Sequence, residues 1–258
     1  MTRADPTDQL APATVSEHDG VRYLHLGTPW VQGAMRLKKP AAIELEYVQR
    51  MMVWMLLRPS AGVARGHAVQ LGLGAAAITR FCHGVMKMKT TAVELNPTVI
   101  GACRAFFRLP DDGARLAVLQ MDALAYVDRA ELAGSADVLC VDLYDHEAAS
   151  PALDSATFYR GCARLLADDG VMTVNLFGRD ASFERSTRRI GAALGAERVL
   201  TLRPTREGNT IVVAWKGAAL PGREELAARA QHVETRFGLP ARKWLRMMRP
   251  WLDSRDSE

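Results

Sequence analysis

The sequence predicts an α/β protein: a doubly wound, mainly parallel sheet preceded by a small N-terminal antiparallel β unit. Five short apolar runs, at residues 68–71, 90–94, 115–120, 137–142 and 171–176, alternate with helical patterns at 75–83, 97–107, 123–131 and 155–166. Such alternation builds parallel βαβ units. The first run leads into Gly72-x-Gly74-x-x-Ala77, a relaxed form of the glycine turn that opens a helix in nucleotide-binding folds. Ahead of it, residues 15–37 carry two turn signals, His18-Asp19-Gly20 and Gly27-Thr28-Pro29, between short alternating runs such as Val21-Arg-Tyr-Leu-His-Leu26. These read as a small antiparallel β unit.

The remaining elements follow in order. Residues 1–13 are polar and are expected to be a disordered tail, and residues 14–40 form the β unit. A helix is expected over 43–57, ending before Pro59 because the residue ahead of a proline avoids helical geometry. A Rossmann-like nucleoside-binding domain is expected over 41–220 and a helical C-terminal extension over 221–258. After a helix at 183–194, strands at 198–202 and 210–215, joined around Gly208-Asn209, are expected to pair as an antiparallel hairpin at the sheet's edge. Residues 222–247 read as helix. Asp111-Asp112-Gly113 and Asp168-Asp169-Gly170 sit at element junctions and read as turns, not as metal ligands.

The chain has 258 residues, 48% hydrophobic and 24% charged, which suffices for a substantial core. A net charge of +4 does not by itself call for nucleic acid or membrane. The basic C-terminal stretch around Trp244 and Trp251, with Arg242, Lys243, Arg246 and Arg249, reads as a solvated amphipathic helix. The longest conspicuous apolar run, residues 51–57, is far short of the ~20 residues a membrane span needs. Cys82, Cys103, Cys140 and Cys162 are widely spaced, which argues against metal and disulfide frameworks and for reduced thiols. With no apolar signal core at the N-terminus, a cytoplasmic protein is expected.

The candidate chemistry lies at the carboxyl ends of the strands, where open α/β sheets bind ligands. Gly72 and Gly74 let backbone approach a ligand closely, and the helix they open points its positive end there. Glu94 lies 20 residues beyond Gly74, the spacing at which a carboxylate accepts hydrogen bonds from ribose hydroxyls. Asp122, just past the third strand, suits an adenine amino group, an N-cap for the following helix, or both. The fourth strand ends in Asp142-Leu-Tyr144-Asp145. A carboxylate there can orient an amine or accept its proton, and a bare strand end would not need two. The small-residue loop from His146 to Pro151 follows and is long enough for a lid; His146 itself reads as a solvated loop histidine.

Taken in order, these elements resemble the spermidine synthase family of polyamine aminopropyltransferases over roughly residues 15–215. The family's glycine-rich turn corresponds to Gly72-Leu-Gly-Ala-Ala-Ala77, its V-E-I-D acid to Glu94, its G-D aspartate to Asp122 and its D-S-S-D pair to Asp142-Leu-Tyr-Asp145. Trp30-Val-Gln32 resembles the V-Q element and Tyr47-Val-Gln49-Arg-Met51 the Y-Q-E-M element. The resemblance implies a class I methyltransferase-like fold and transfer of an aminopropyl group from decarboxylated S-adenosylmethionine to a small amine such as putrescine. The donor is a co-substrate, with no permanently bound cofactor and no metal. It further implies that Gly72, Gly74, Glu94, Asp122 and Gln32 serve the donor. Asp142 is then the base or amine-orienting group, with Tyr144 between it and Asp145, and Asp145 and Gln49 line the acceptor side. A homodimer is expected, for which the C-terminal helix is one candidate interface.

Four departures bear on the substrate. Ala75 replaces the turn's aspartate, Val48 and Arg50 stand at the tyrosine and glutamate of Y-Q-E-M, and Arg203-Pro-Thr-Arg206 occupies the region of the family's later polyamine-pocket segment. Fewer acids and more arginines suit a cationic diamine less well, which leaves a methyl or alkyl transferase using intact S-adenosylmethionine as an alternative. A nicotinamide-dependent oxidoreductase fits the glycine turn but gives Asp142 and Asp145 no role. A non-catalytic nucleoside-binding subunit fits the altered turn but not the retained aspartates.

Overall fold

The computed structural model describes residues 10–143, 155–177 and 181–251. Tyr144, Asp145, His146 and the loop to Pro151 therefore lie outside the described residues, as do residues 1–9 of the tail.

Strands β1 (Ala13–His18), β2 (Val21–Leu26) and β3 (Gly33–Arg36) form a three-stranded antiparallel sheet. The β1–β2 turn holds Asp19 at φ 50 and Gly20 at φ 73, the left-handed pair that two-residue hairpins need. The main sheet contains β4 (His67–Leu71), β5 (Lys89–Glu94), β6 (Leu116–Gln120), β7 (Ala136–Val141), β8 (Leu166–Phe177), β9 (Val199–Leu202), β10 (Asn209–Trp215) and β11 (Met248–Pro250). Its order is β11-β9-β10-β8-β7-β4-β5-β6, with β4 to β8 parallel and the rest antiparallel. The expected edge hairpin forms, but the edge is one strand further out. β10 inserts between β8 and β9, and β11 pairs outside β9. The two acidic turns also differ. Asp112 accepts from the Val118 N–H and pairs with Arg104 (2.5 Å), whereas Asp168, Asp169 and Gly170 lie inside β8, in a bulge where the register against β7 shifts.

One helix layer comprises α1 (Glu46–Met51) with its 3-10 continuation Met52–Leu56, α2 (Ala77–Arg80), α7 (Arg223–Phe237) and α8 (Ala241–Met247). The apolar run at 51–56 is almost wholly buried in this layer together with Trp244, which explains its composition without a membrane. The C-terminal extension is two helices, not one. Gly238 at φ 68 caps α7, and Pro240 precedes α8. Arg249 and Trp251 fall outside α8, since β11 begins at Met248. On the opposite face α4 (Ala123–Asp128), α5 (Ala156–Leu165) and α6 (Ala181–Leu194) cover a second core around Tyr159, Phe158 and Ile190. α3 (Pro97–Phe106) shares a third core with the β unit and the glycine turn, through Leu24, Met35, Leu73 and Phe107.

The chain builds β4, β5 and β6 outward and then returns to place β7 on the other side of β4. This reversal leaves a crevice at the carboxyl ends of β4 and β7. Gly72, at φ 83, fits there because a Cβ would overlap the Asp142 carbonyl oxygen. We expect Gly72→Ala to lose more than about 2 kcal/mol of stability in urea denaturation. Gly101→Ala, in open space within α3, should instead gain about 0.5–1 kcal/mol.

Candidate active site

The crevice is set by backbone first. The Asp142 N–H donates to the Leu71 carbonyl and the Gly72 N–H to the Val93 carbonyl, both at 2.8 Å, so the three strand ends are locked side by side. Beyond them the glycine turn is held mostly by side chains. Buried Gln70 donates to the carbonyls of Gly72 (2.7 Å) and Leu73 (3.2 Å) and accepts from Thr79 (2.6 Å). The Cys103 thiol donates to the Gly74 carbonyl (3.1 Å), and the Arg80 guanidinium to the carbonyls of Ala75, Phe107 and Pro40. Burial lowers the Arg80 pKa to about 10, which leaves it a cation at neutral pH. The expected helix starts late. Ala76 takes a left-handed φ of 57, so α2 begins at Ala77, lasts one turn and continues as a π turn. Its dipole is correspondingly weaker than that of a full helix.

Three carboxylates mark the ends of β5, β6 and β7, with the β4 glycine turn lying between β5 and β7. Glu94 ends β5; its two oxygens accept from the N–H groups of Leu73 and Asn96, each at 2.9 Å, leaving lone pairs free for further donors. Burial raises its pKa, and those backbone bonds pull it back. Asp122 follows β6, is exposed, and caps α4 by accepting from Ala125 N–H at 2.9 Å. The second oxygen is not used by the cap. Asp142 follows β7 and receives the Asn175 amide at 2.9 Å and the Tyr47 hydroxyl at 3.3 Å. Asn175 in turn accepts from the Asn209 amide at 3.1 Å. Burial pushes the Asp142 carboxyl up to about 6; the Asn175 and Tyr47 bonds oppose that shift and the Glu94 carboxylate adds to it. In sheet order the row runs β7, β4, β5, β6, about 14 Å across at ~4.8 Å per strand.

A small cleft opens at the Asp142 end of this row, lined among others by Gln32, Tyr47, Gln70, Gly74, Ala75 and Asp142, while Glu94 and Asp122 lie outside its lining. β3 delivers Gln32: Gly33 packs so closely on Ala75 that a Cβ there would collide with it, and the Gln32 N–H is fixed to the Leu24 carbonyl (2.8 Å). Gln49 is not among the lining residues. Its amide is committed to the Ile43 carbonyl (2.7 Å), and Tyr47, on the same helix, faces Asp142 instead. Arg50 is buried, bonded to Glu46 (2.8 Å) and the Arg203 carbonyl (2.5 Å), so its charge is taken up inside the protein; Arg203 and Arg206 are exposed. The sequence reading named Tyr47 and Asn209 only as parts of a motif and a turn, gave Asn175 no mention, and assigned none of the three to the site. The legible signal was Asn175 itself, a polar residue in the apolar strand Val171-Met-Thr-Val-Asn-Leu-Phe177, since a buried amide requires partners.

The order of strands and the glycine turn define an α/β protein with a class I methyltransferase-like fold. Residues 74–206 match the spermine/spermidine synthase domain. The polyamine aminopropyltransferase of Chromobacterium violaceum is 32% identical over 240 residues, covering 92% of this chain and 89% of that protein. The chain belongs to this family. A probable spermidine synthase structure from Corynebacterium glutamicum superposes with a TM-score of 0.69 at 18% identity, covering 90% of each chain. Human methyltransferase-like protein 13, solved with SAH, gives 0.63 at 24% identity, covering 82% of this chain and 97% of that one. Both share the fold.

A raised carboxyl pKa has a sign in stability. Asp142 sits above its ordinary 3.8, so its favourable contribution is complete below that value and is lost as pH rises through about 6. Keeping it ionised at neutral pH costs on the order of 2–3 kcal/mol. We therefore expect the Tm advantage of Asp142→Asn over the parent to widen between pH 5 and pH 8 in scanning calorimetry. A gap independent of pH would contradict the assignment.

Proposed function

We propose that the protein transfers the aminopropyl group of decarboxylated S-adenosylmethionine to a small amine such as putrescine. The carboxylates at the ends of β7, β5 and β6, with the β4 glycine turn between the first two, carry this reading, because they match a ligand laid across the sheet edge, and membership of the spermine/spermidine synthase family supports it. In the proposed arrangement Asp122 receives the adenine amino group and Glu94 the ribose hydroxyls. Gly72, Gly74 and Gln32 flank the sulfonium, which neighbours Asp142. The acceptor enters on the β8 side of Asp142. Asp145 and Tyr144 join Asp142 in the catalytic group of the proposal and Asp145 also serves the acceptor side, whereas Gln49, its amide held by the Ile43 carbonyl, drops out of it.

The chemistry needs little beyond position. The amine lone pair attacks the propyl carbon next to sulfur, the carbon–sulfur bond breaks with its electrons passing to sulfur, and methylthioadenosine leaves neutral. The amine's surplus proton passes to Asp142. Its raised pKa makes it a stronger base than an exposed carboxylate, and Asn175 and Tyr47 hold its oxygens towards the crevice. Because Asp142 must be ionised, activity falls as pH drops through about 6. Removing the Asn175 bond raises that pKa further, so Asn175→Leu should move the acid limb of the rate profile to higher pH, while Asp142→Asn abolishes turnover with donor affinity held within a few-fold.

One observation favours a second reading, transfer of a methyl or alkyl group from intact S-adenosylmethionine. Ala75 offers no carboxylate to a cationic donor tail, and the Arg80 cation is bonded to its carbonyl. Calorimetric titration with both donors, followed by mass spectrometry of the product formed with putrescine, separates the two. Methylthioadenosine and spermidine from the decarboxylated donor support aminopropyl transfer; binding of the intact donor alone supports the second reading.

A cytoplasmic homodimer acting without nucleic acid or membrane belongs to the same proposal. The four cysteines are buried and unpaired, as suits a reducing compartment, and Arg242 and Lys243 are engaged by Glu234 and Glu46. Among the described residues no helix is long and apolar enough to cross a membrane.

A further inference from the structure

The mechanism leaves a buried amide without a role. Gln70 lies in the middle of β4, where Ala68, Val69 and Leu71 are apolar, and it is 3% exposed. Its in-register neighbours are Ala92 on β5 and Cys140 on β7, both small, which leaves its side chain room towards α2. An apolar side chain here would need no partners, whereas an amide taken out of water must have them. Gln70 has a full set. Its two amide hydrogens go to the carbonyls of Gly72 (2.7 Å) and Leu73 (3.2 Å), and its oxygen accepts from the buried Thr79 hydroxyl (2.6 Å). The two carbonyls can only accept, so the NH2 group faces the turn and the oxygen takes the Thr79 proton.

One of those bonds reaches beyond the turn. A trans peptide is planar, with its C=O and N–H pointing in opposite directions. The Gly72 carbonyl and the Leu73 N–H belong to the same peptide unit. Gln70 holds the carbonyl at 2.7 Å, and Glu94 Oε2 holds the N–H at 2.9 Å. The unit is thus a lever with a buried amide at one end and the β5 carboxylate at the other. Gly72, at φ 83, does not fix its rotation, because a residue without a Cβ lets the following peptide turn over readily. A turned-over peptide would aim a carbonyl at Glu94 in place of a donor and leave two buried acceptors facing each other. The other Glu94 oxygen is bound by the Asn96 N–H, two residues along its own strand end, so the Leu73 bond is what ties the carboxylate across to the glycine turn. Burial raises the Glu94 pKa, and this bond is among those that pull it back.

Resting on the adenosyl-donor part of the proposed function, we infer that Gln70, oriented by Thr79, positions Glu94 for the ribose by locking the Gly72–Leu73 peptide with its N–H towards the carboxylate. Gln70 is a positioning residue, since it acts on the donor through one peptide and one carboxylate. Without that lock Glu94 is freer to rotate and more readily protonated, and a protonated carboxyl accepts fewer hydrogen bonds. The effect falls on ligands that carry ribose hydroxyls, because those are what Glu94 receives. Decarboxylated and intact S-adenosylmethionine have the same ribose, so the inference is indifferent to which group is transferred.

The test is calorimetric binding of methylthioadenosine, and of its 2′,3′-dideoxy analogue, to the parent, Gln70→Leu, Thr79→Val and Thr79→Ser. The parent should prefer methylthioadenosine. Gln70→Leu should weaken methylthioadenosine about five- to thirty-fold, the range for losing a hydrogen bond to a charged group, and the dideoxy analogue by about two-fold at most. Thr79→Val, which changes shape little, should act in the same direction by about three- to ten-fold, and Thr79→Ser, which keeps the hydroxyl, should stay within about two-fold of the parent. The threonine pair carries the same test should Gln70→Leu not fold. Equal losses for both nucleosides in Gln70→Leu or Thr79→Val overturn the inference, as does no loss at all, or a Thr79→Ser as weak as Thr79→Val. The parent alone judges the reading beneath it. A parent that binds both nucleosides equally takes Glu94 away from the ribose and the inference with it, whereas a parent that prefers methylthioadenosine keeps Glu94 there whatever the variants do. The expected pattern with no spermidine formed from the decarboxylated donor would sink aminopropyl transfer and leave the role of Gln70 standing.

Discussion

The site depends on the contact of a bare glycine with a carbonyl: Gly72 lies against the backbone of Asp142 where β4 and β7 end side by side. That contact sets how close the first and fourth parallel strands come at the reversal of the sheet, and so where Asp142 points. Everything around it holds the turn open against collapse. Gln70, Cys103 and Arg80 bind carbonyls of residues 72–75, and Glu94 binds the Leu73 N–H. With alanines at 75–77 in place of further glycines, side chains supply constraint that glycine's conformational freedom would otherwise have required of the surrounding packing.

The electrostatics of the crevice follow from the same packing. Glu94 and Asp142 are both driven upwards in pKa by burial, and among the described residues neither has a lysine or arginine partner. Hydrogen bonds from amides and a tyrosine hold them without neutralising them. The arginines that could have paired with them are directed elsewhere: Arg50 to Glu46, and Arg80 to backbone carbonyls. Unneutralised carboxylates in a half-buried crevice favour a cationic ligand, and a sulfonium beside Asp142 would restore the balance that the fold leaves open.

Much of this was legible in the sequence, for identifiable reasons. The parallel strands were readable because fully buried strands are continuous apolar runs, and the acids were readable because they stand where those runs stop. Gly72 and Asp142 could be named before their contact was known. What could not be read are relations across the chain. Tyr47 meets Asp142 across 95 residues and Asn175 across 33, and no local pattern encodes either. Gln49 and Tyr47 differ by two positions on α1, and only the packed helix decides which one faces the cleft. The break between α7 and α8 was signalled by Gly238 and Pro240, but β11 was not: Met248-Arg-Pro250 is too short and too polar to resemble a strand, and it becomes one only because β9 offers an unpaired edge.

The central claim is that the crevice at the β4–β7 reversal holds an adenosyl donor with its sulfur beside Asp142. A crystal structure of the protein with methylthioadenosine tests it most directly. The account predicts ribose hydroxyls within hydrogen-bond distance of Glu94, adenine near the end of β6 at Asp122, and the thioether between Gly74 and Asp142. Methylthioadenosine bound elsewhere, or in the crevice with its base towards Asp142 and its sulfur towards β6, would contradict it.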